Sequence, residues 1–191
     1  MTPALVDGER PTYVLVDGEN IDATLGGSIL GRRPHSAERP RWERLLQFVD
    51  EEWGTTPSGL FFLAVNAELP MSFVQALTAI GYRPVPLSGE AGEKVVDIAI
   101  QRTLEELADR DADVVLVSND GDFVPQVTDL LDADRRVGLI GFNEFRNHNF
   151  TPLVPRGLET FDLEYDVRAF QGTLPRVRII PIEEFDPRDF L

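Results

Sequence analysis

An open, mostly parallel α/β sheet with helices on both faces is what this sequence predicts, and three observations predict it. Five short apolar runs, Tyr13–Val16, Leu60–Val65, Tyr82–Val85, Val114–Val117 and Val137–Ile140, lack the polar alternation of a half-exposed strand and read as buried parallel strands. Helical patterns at about 41–53, 69–80, 94–108 and 123–132 separate them, so the order is β-α-β-α, the signature of a parallel sheet covered on both sides. Turn-forming residues punctuate the junctions: Gly81 after the second helix, Pro84 and Pro86 about the third strand, and Ser118-Asn119-Asp120-Gly121 after the fourth.

Taken in order, the elements also settle a repetition. The word LVDGE occurs at Leu5–Glu9 and again at Leu15–Glu19. The first copy has few apolar neighbours and runs into Arg10-Pro11, where a proline blocks a central strand, so residues 1–11 read as a flexible lead-in. The second copy is fed by Thr12-Tyr13-Val14, so Leu15-Val16 completes a strand and Asp17 emerges at its carboxyl end. Ligands of open α/β sheets bind at such ends, near the switch in strand order. Residues 12–150 carry the periodic pattern. From Thr151 to Leu191 the periodicity dissolves, five prolines intervene, and an irregular C-terminal extension is expected.

A chain of 191 residues, 42% hydrophobic, is long enough for one sizeable core and short for two. Its longest apolar runs fall far below the roughly 18 residues that span a bilayer, and the N-terminus lacks a signal pattern, so a cytoplasmic protein without a membrane partner is expected. With no cysteine and only His35 and His148, carboxylates are the one plentiful class of metal ligand, which points to a hard cation. The 33 acids against 18 bases give a formal charge of −15. That average field repels a polyanion, so binding of nucleic acid requires a local basic patch and a reason for clustered acids.

Three stretches place carboxylates alike. Asp17 ends the first strand with Asn20 three residues on; Asp120 and Asp122 follow the fourth strand in VLVSNDGDF; Asp97 lies one turn into the helix that starts near Glu93, in EKVVDIAI. First and fourth strands of this pattern are commonly neighbours, so these acids are expected to emerge side by side, with Asp97 presented to them by its helix. Asp97 sits among Val95, Val96, Ile98, Ala99 and Ile100, where an unpaired carboxylate is costly. Its partner is either Lys94, the only lysine in the chain, through an ordinary salt bridge, or a cation shared with the other acids. Two carboxylates ~4 Å apart repel by roughly 4 kcal/mol at an effective dielectric near 20, so converging acids imply a cation between them. All-oxygen ligands suit Mg²⁺ or Mn²⁺, and such an ion supports hydrolysis of a phosphodiester or phosphomonoester.

The blocks YVLVDGENI, KVVDIAI and VLVSNDGDFVPQV, in this order between about Thr12 and Phe142, resemble the NYN family of the PIN-like nuclease superfamily. The resemblance implies a PIN-like α/β fold and a divalent-metal-dependent endoribonuclease with Mg²⁺ or Mn²⁺ and a single-stranded RNA substrate. By matching position, Asp17, Asp97, Asp120 and Asp122 are its acidic metal and catalytic residues, Asn20 its polar accessory, and Lys94 and Ser118 flank the site. Two other readings stay open: a PIN-like module that binds RNA or protein without cleaving it, and a haloacid-dehalogenase-type phosphatase. The latter wants a second Asp two residues after its nucleophile, where this chain has Glu19.

The basic patch has a candidate in GRRPHSAERPRWER (Gly31–Arg44), with Arg32, Arg33, Arg39, Arg41 and Arg44 against two glutamates. Arginine forks suit phosphate, and Trp42 could stack on an unpaired base. The alternative is that Trp42 and Leu45 face the core while the arginines solvate a loop. The C-terminal extension is the natural place for a protein partner or a second copy.

Overall fold

The computed structural model describes residues 10–65, 68–176 and 179–191, so the first LVDGE copy and most of the expected lead-in lie outside it. Six strands form one sheet: β1 (Thr12–Asp17), β2 (Ser58–Ala64), β3 (Tyr82–Leu87), β4 (Asp113–Val117), β5 (Val137–Gly141) and β6 (Leu158–Asp162). Their order is β3-β2-β1-β4-β5-β6 and every pairing is parallel. The order reverses between β1 and β4, the topological switch point of the sheet.

Side-chain alternation along the strands divides the core in two. Val14 and Val16 of β1 and Val115 and Val117 of β4 point to one face, covered by α1 (Gly18–Ala23), α2 (Trp42–Trp53) and α3 (Met71–Ala79). Leu15, Val114 and Leu116 point to the other, covered by α4 (Val95–Ala108) and α5 (Val124–Leu130). Helices therefore lie on both faces, as the β-α-β-α order predicts. Asp17 has the parity of Leu15 and Ser118 that of Leu116, which puts both on the face of α4.

Two elements differ from the sequence expectation. β6 takes the sheet past residue 150, where the pattern was expected to end. Its sequence, LETFD, holds only two apolar residues, Leu158 and Phe161, and so escapes a search for continuous apolar runs. After β1 the chain continues as α1 and a π-helical turn (Thr24–Leu30), which bury Ile21 and Leu25, where the sequence pattern placed no element. Pro84 and Pro86, expected as punctuation, lie inside β3. Two residues apart, both lack their N–H on one side of the strand, and β3 is an edge that, among the described residues, pairs with β2 alone.

The segment after β6 is tied back to the sheet by Arg176, whose side chain is 2% exposed. It donates to both oxygens of Asp162 at the end of β6 (3.1 and 2.9 Å), to Glu164 (3.2 Å) and to Glu144, and its guanidinium lies over the rings of Phe142 and Tyr165. Burial by itself would raise the Asp162 carboxyl. Arg176 and the backbone N–H groups of Asn143 and Tyr165 hold it below its ordinary value instead. Removing one partner of such a pair strands a buried charge, so Arg176→Met should cost about 3–5 kcal/mol in urea unfolding. A loss under about 1 kcal/mol would show that Asp162 is satisfied without it.

Candidate functional site

Every parallel strand ends at the same edge of the sheet and every crossover helix begins there. That shared edge collects the candidate residues. α4 buries Val96, Ile100, Leu104 and Leu107 as a stripe, and Asp97, one position beyond Val96, is rotated off it toward the edge. Asp120 and Asp122 lie in the tight connection from β4 to α5. The Asp120 carboxylate accepts the backbone N–H of Asp122 (3.0 Å), which fixes the turn.

Asp97, Asp120 and Asp122 each offer one carboxylate oxygen, and these oxygens all lie within 4.8 Å of one another. Asp17 stands outside this trio. It is buried, 1% exposed, and held from two sides, by the Ser118 hydroxyl (2.9 Å) and the Asn20 backbone N–H (3.2 Å). Burial pushes its carboxyl up to about 6, against the pull of those two hydrogen bonds and with the fields of Asp97 and Asp120 adding to the rise. The fourth acid is thus coupled to the trio through charge and positioned beneath it.

Lys94 caps α4 and places its Nζ 3.4 Å from both Asp97 and Asp122. The two carboxylates raise its pKa, Asp122 first. The salt bridge that the sequence offered as the plain explanation of Asp97 is present, and it is shared with a second acid of the trio.

Asn20 acts through Asn119. Its side-chain oxygen accepts the Asn119 backbone N–H (2.9 Å), while the Asn119 side-chain oxygen accepts Phe142 N–H (2.9 Å) and its amide reaches Thr24 Oγ1 (3.4 Å). Asn119 thereby clamps β4, β5 and the turn after α1 together. In the sequence it looked like one more turn residue. Asn147 and Gln101 were missed as well: Asn147 packs so closely on Gly121 that a Cβ there would collide with its amide, and Gln101 Nε2 donates to the Asp122 carbonyl (3.3 Å). Only the tightness of the Asp-Gly-Asp turn hinted at such a neighbour.

The arginine-rich stretch is less open than its composition suggests. Arg32 forms a two-pronged pair with Glu38 (2.8 and 2.6 Å) and Arg39 one with Asp22 (2.7 and 3.3 Å). Arg44 donates to the carbonyls of Arg168 and Phe170. Arg33 and Arg41 carry no ion pair among the described residues, and Arg33 is exposed. Trp42 is buried, edge-on to Phe61 with centroids 5.1 Å apart, so it is a core residue as the plainer alternative held. Among the described residues no helix is long and apolar enough to cross a membrane.

Three carboxylate oxygens with no nitrogen or sulfur among them, and a fourth carboxylate raised by burial and, to a lesser degree, by the fields of Asp97 and Asp120, fit a hard divalent cation. They also predict a pH dependence. The Asp17 carboxyl is raised in the fold, so the folded state holds a proton between about pH 4 and 6 that the unfolded chain has released. Metal-free stability should therefore be greatest below pH 4 as far as Asp17 is concerned and fall as pH rises to about 6, by roughly 3 kcal/mol for a shift of two units. Asp17→Asn should flatten that part of the curve and be the more stable protein at pH 7.5 in EDTA. Superimposable pH–stability curves would mean that Asp17 is ionised at no cost.

The geometry can be set beside known proteins. The crystal structure of a protein of unknown function, VPA0982 from Vibrio parahaemolyticus RIMD 2210633, superposes with a TM-score of 0.62 at 17% identity, covering 85% of this chain and 98% of that one. At that identity the likeness is one of fold. No curated protein matches the chain. The profile of the NYN domain matches residues 11–155, from the start of β1 to the approach to β6, and takes in Asp17, Asp97, Asp120 and Asp122. It does not support the haloacid-dehalogenase alternative. With three quarters of its length under that match, this chain belongs to the NYN domain family.

Proposed function

We propose that this NYN-family chain is a divalent-metal-dependent endoribonuclease that hydrolyses phosphodiester bonds of single-stranded RNA in the cytoplasm. The observation that carries the reading is the trio of Asp97, Asp120 and Asp122, with oxygens within 4.8 Å of one another at the switch point of the sheet. These three would hold Mg²⁺ or Mn²⁺, with Asp17 beneath them as the fourth acid. Such an ion, when bound, supplies an activated water and stabilises charge on the phosphate and the leaving oxygen.

The chain's own residues supply the rest. Ser118 and the Asn20 N–H fix the Asp17 carboxylate, and Asn119 fixes Asn20. Lys94, largely exposed, sets a positive charge at the rim where a substrate phosphate can reach it. Arg32, Arg33, Arg39 and Arg41 lie along the chain that leaves the same edge. Arg33 and Arg41 are the readiest to meet phosphate, because Arg32 and Arg39 are engaged by acids.

A second reading, a NYN module that binds RNA without cutting it, draws on Lys94 itself. An ammonium 3.4 Å from two of the three acids supplies part of the compensation that a cation otherwise would. The two readings part in the cleavage of a labelled single-stranded RNA with Mn²⁺ or EDTA. Asp97→Asn and Asp120→Asn should each lower the metal-dependent rate by roughly 10²-fold or more, on the scale of losing one preorganised charge at a reacting phosphate, while leaving the fold intact. Wild-type rates in both variants would overturn the site. Lys94→Met should reduce cleavage at matched thermal stability; full activity would reduce Lys94 to a surface ion pair. For the RNA grip, Arg33→Ala and Arg41→Ala should each lower the slope of log K against log salt by about 0.7. An unchanged slope would move the grip elsewhere.

A further inference from the structure

On the opposite face of the sheet from the acid trio, but beginning one residue after Asp17, lies a cleft of about 200 Å³. Its lining includes Gly18, Trp42, Phe61, Leu63, Phe73 and Arg39, together with the acids Glu19 and Asp22. Its size is below the roughly 300 Å³ at which sites for drug-sized ligands begin, so it suits a single planar ring system.

Its walls are fixed, and by different means. The Phe61 ring approaches Gly18 so closely that a Cβ there would come within 2.6 Å of its Cε1 and Cζ. From there it holds Trp42 and Phe73 edge-on, at centroid distances of 5.1 and 5.5 Å. Phe73, in the first turn of α3, is thus packed on Phe61 while 37% exposed. Arg39, in the same lining, has its Nε and one terminal nitrogen bound by the Asp22 carboxylate, which occupies one edge of the guanidinium and leaves its planar face and its other N–H groups to offer. An aromatic ring and a guanidinium plane are the two surfaces on which unpaired bases stack, and neither distinguishes strongly among bases.

Resting on the nuclease reading above, we infer that this cleft is a nucleobase subsite. It takes one unpaired base of the RNA strand, stacked on Phe73 and Arg39, while the strand crosses the carboxyl end of β1 at Gly18 and delivers a neighbouring phosphate to the acids. The cleft selects single strands over duplex, since a paired base cannot enter it, and it is tolerant of sequence. Among the arginines of the 31–44 stretch, Arg39 then acts through its face, and its pairing with Asp22 is what orients that face.

The test uses full-length protein in an Asp120→Asn background, which removes one charge of the trio and allows binding to be read without turnover. Fluorescence anisotropy is measured with a nine-nucleotide single-stranded RNA and with a set in which one nucleotide at a time is abasic. One abasic position should weaken binding by roughly 5- to 150-fold, the range for loss of one stacked base. Phe73→Ala should weaken binding of the intact RNA by a similar factor and lose sensitivity at that position alone, whereas Phe73→Trp should restore it. Thermal unfolding of each variant confirms a folded protein. Phe73→Ala binding as tightly as its parent, or an unchanged abasic profile, overturns the subsite, as does failure of the parent to bind any of the RNAs. Metal-dependent cleavage by the wild-type protein is scored in parallel. Its absence sinks the nuclease reading and leaves the stacking result to stand or fall by itself.

Discussion

Like charges gathered at one edge of a sheet repel, and the arrangement of this protein follows from how that repulsion is contained. Three carboxylates share a space less than 5 Å across, and a fourth is buried beside them. The parallel topology concentrates them, because strand ends and helix starts all fall on the same side. Backbone N–H groups, the Ser118 hydroxyl and the Lys94 ammonium oppose the concentration without cancelling it. What is left over is uncompensated negative charge at this edge, the feature on which the proposed cation rests. The structure spends stability at this edge and recovers it in the two apolar layers behind, where β1 and β4 are buried on both faces.

The formal charge of −15 looks adverse to a substrate that is itself a polyanion. Much of the acid is already committed. Glu38, Asp22, Asp132, Glu159, Glu144 and Asp162 are each engaged by an arginine, but those arginines are already counted in the net figure, so the pairing settles where charge lies and leaves its sum unchanged. The same pairings diminish the arginines as free phosphate ligands. Recognition by stacking, in which a guanidinium paired at its edge still presents a face, is one way for such a surface to hold a nucleic acid.

The layered fold was legible because buried parallel strands are apolar throughout and their crossover helices amphipathic. Five strands and four helices could be placed from those patterns within a few residues. β6 was not, since LETFD has only two apolar residues in five and follows a segment broken by Pro152 and Pro155. The acids could be found individually because each contradicts its surroundings: Asp97 interrupts an apolar helix, and Asp17 terminates an apolar strand. What pattern alone could not supply was the division of labour among them, with three in ligand reach and Asp17 set apart under a hydroxyl. Nor could it show that Asn119 joins three segments, because an asparagine in a turn looks the same whether it faces water or a neighbouring strand. The role of Trp42 was undetermined for a related reason: an aromatic residue at a helix start can serve core or ligand, and only the position of Phe61 decides.

The prolines of β3 bear on how copies of this molecule can meet. An outermost strand of a parallel sheet ordinarily carries a ladder of free donors and acceptors onto which another chain can be added. At Pro84 and Pro86 two successive rungs of that ladder are missing on the open side. The sheet is therefore terminated chemically at β3, and a continuous intermolecular sheet cannot grow from it. The two ends of the sheet therefore differ in the backbone groups that they offer a neighbouring chain, which gives the sheet a built-in polarity.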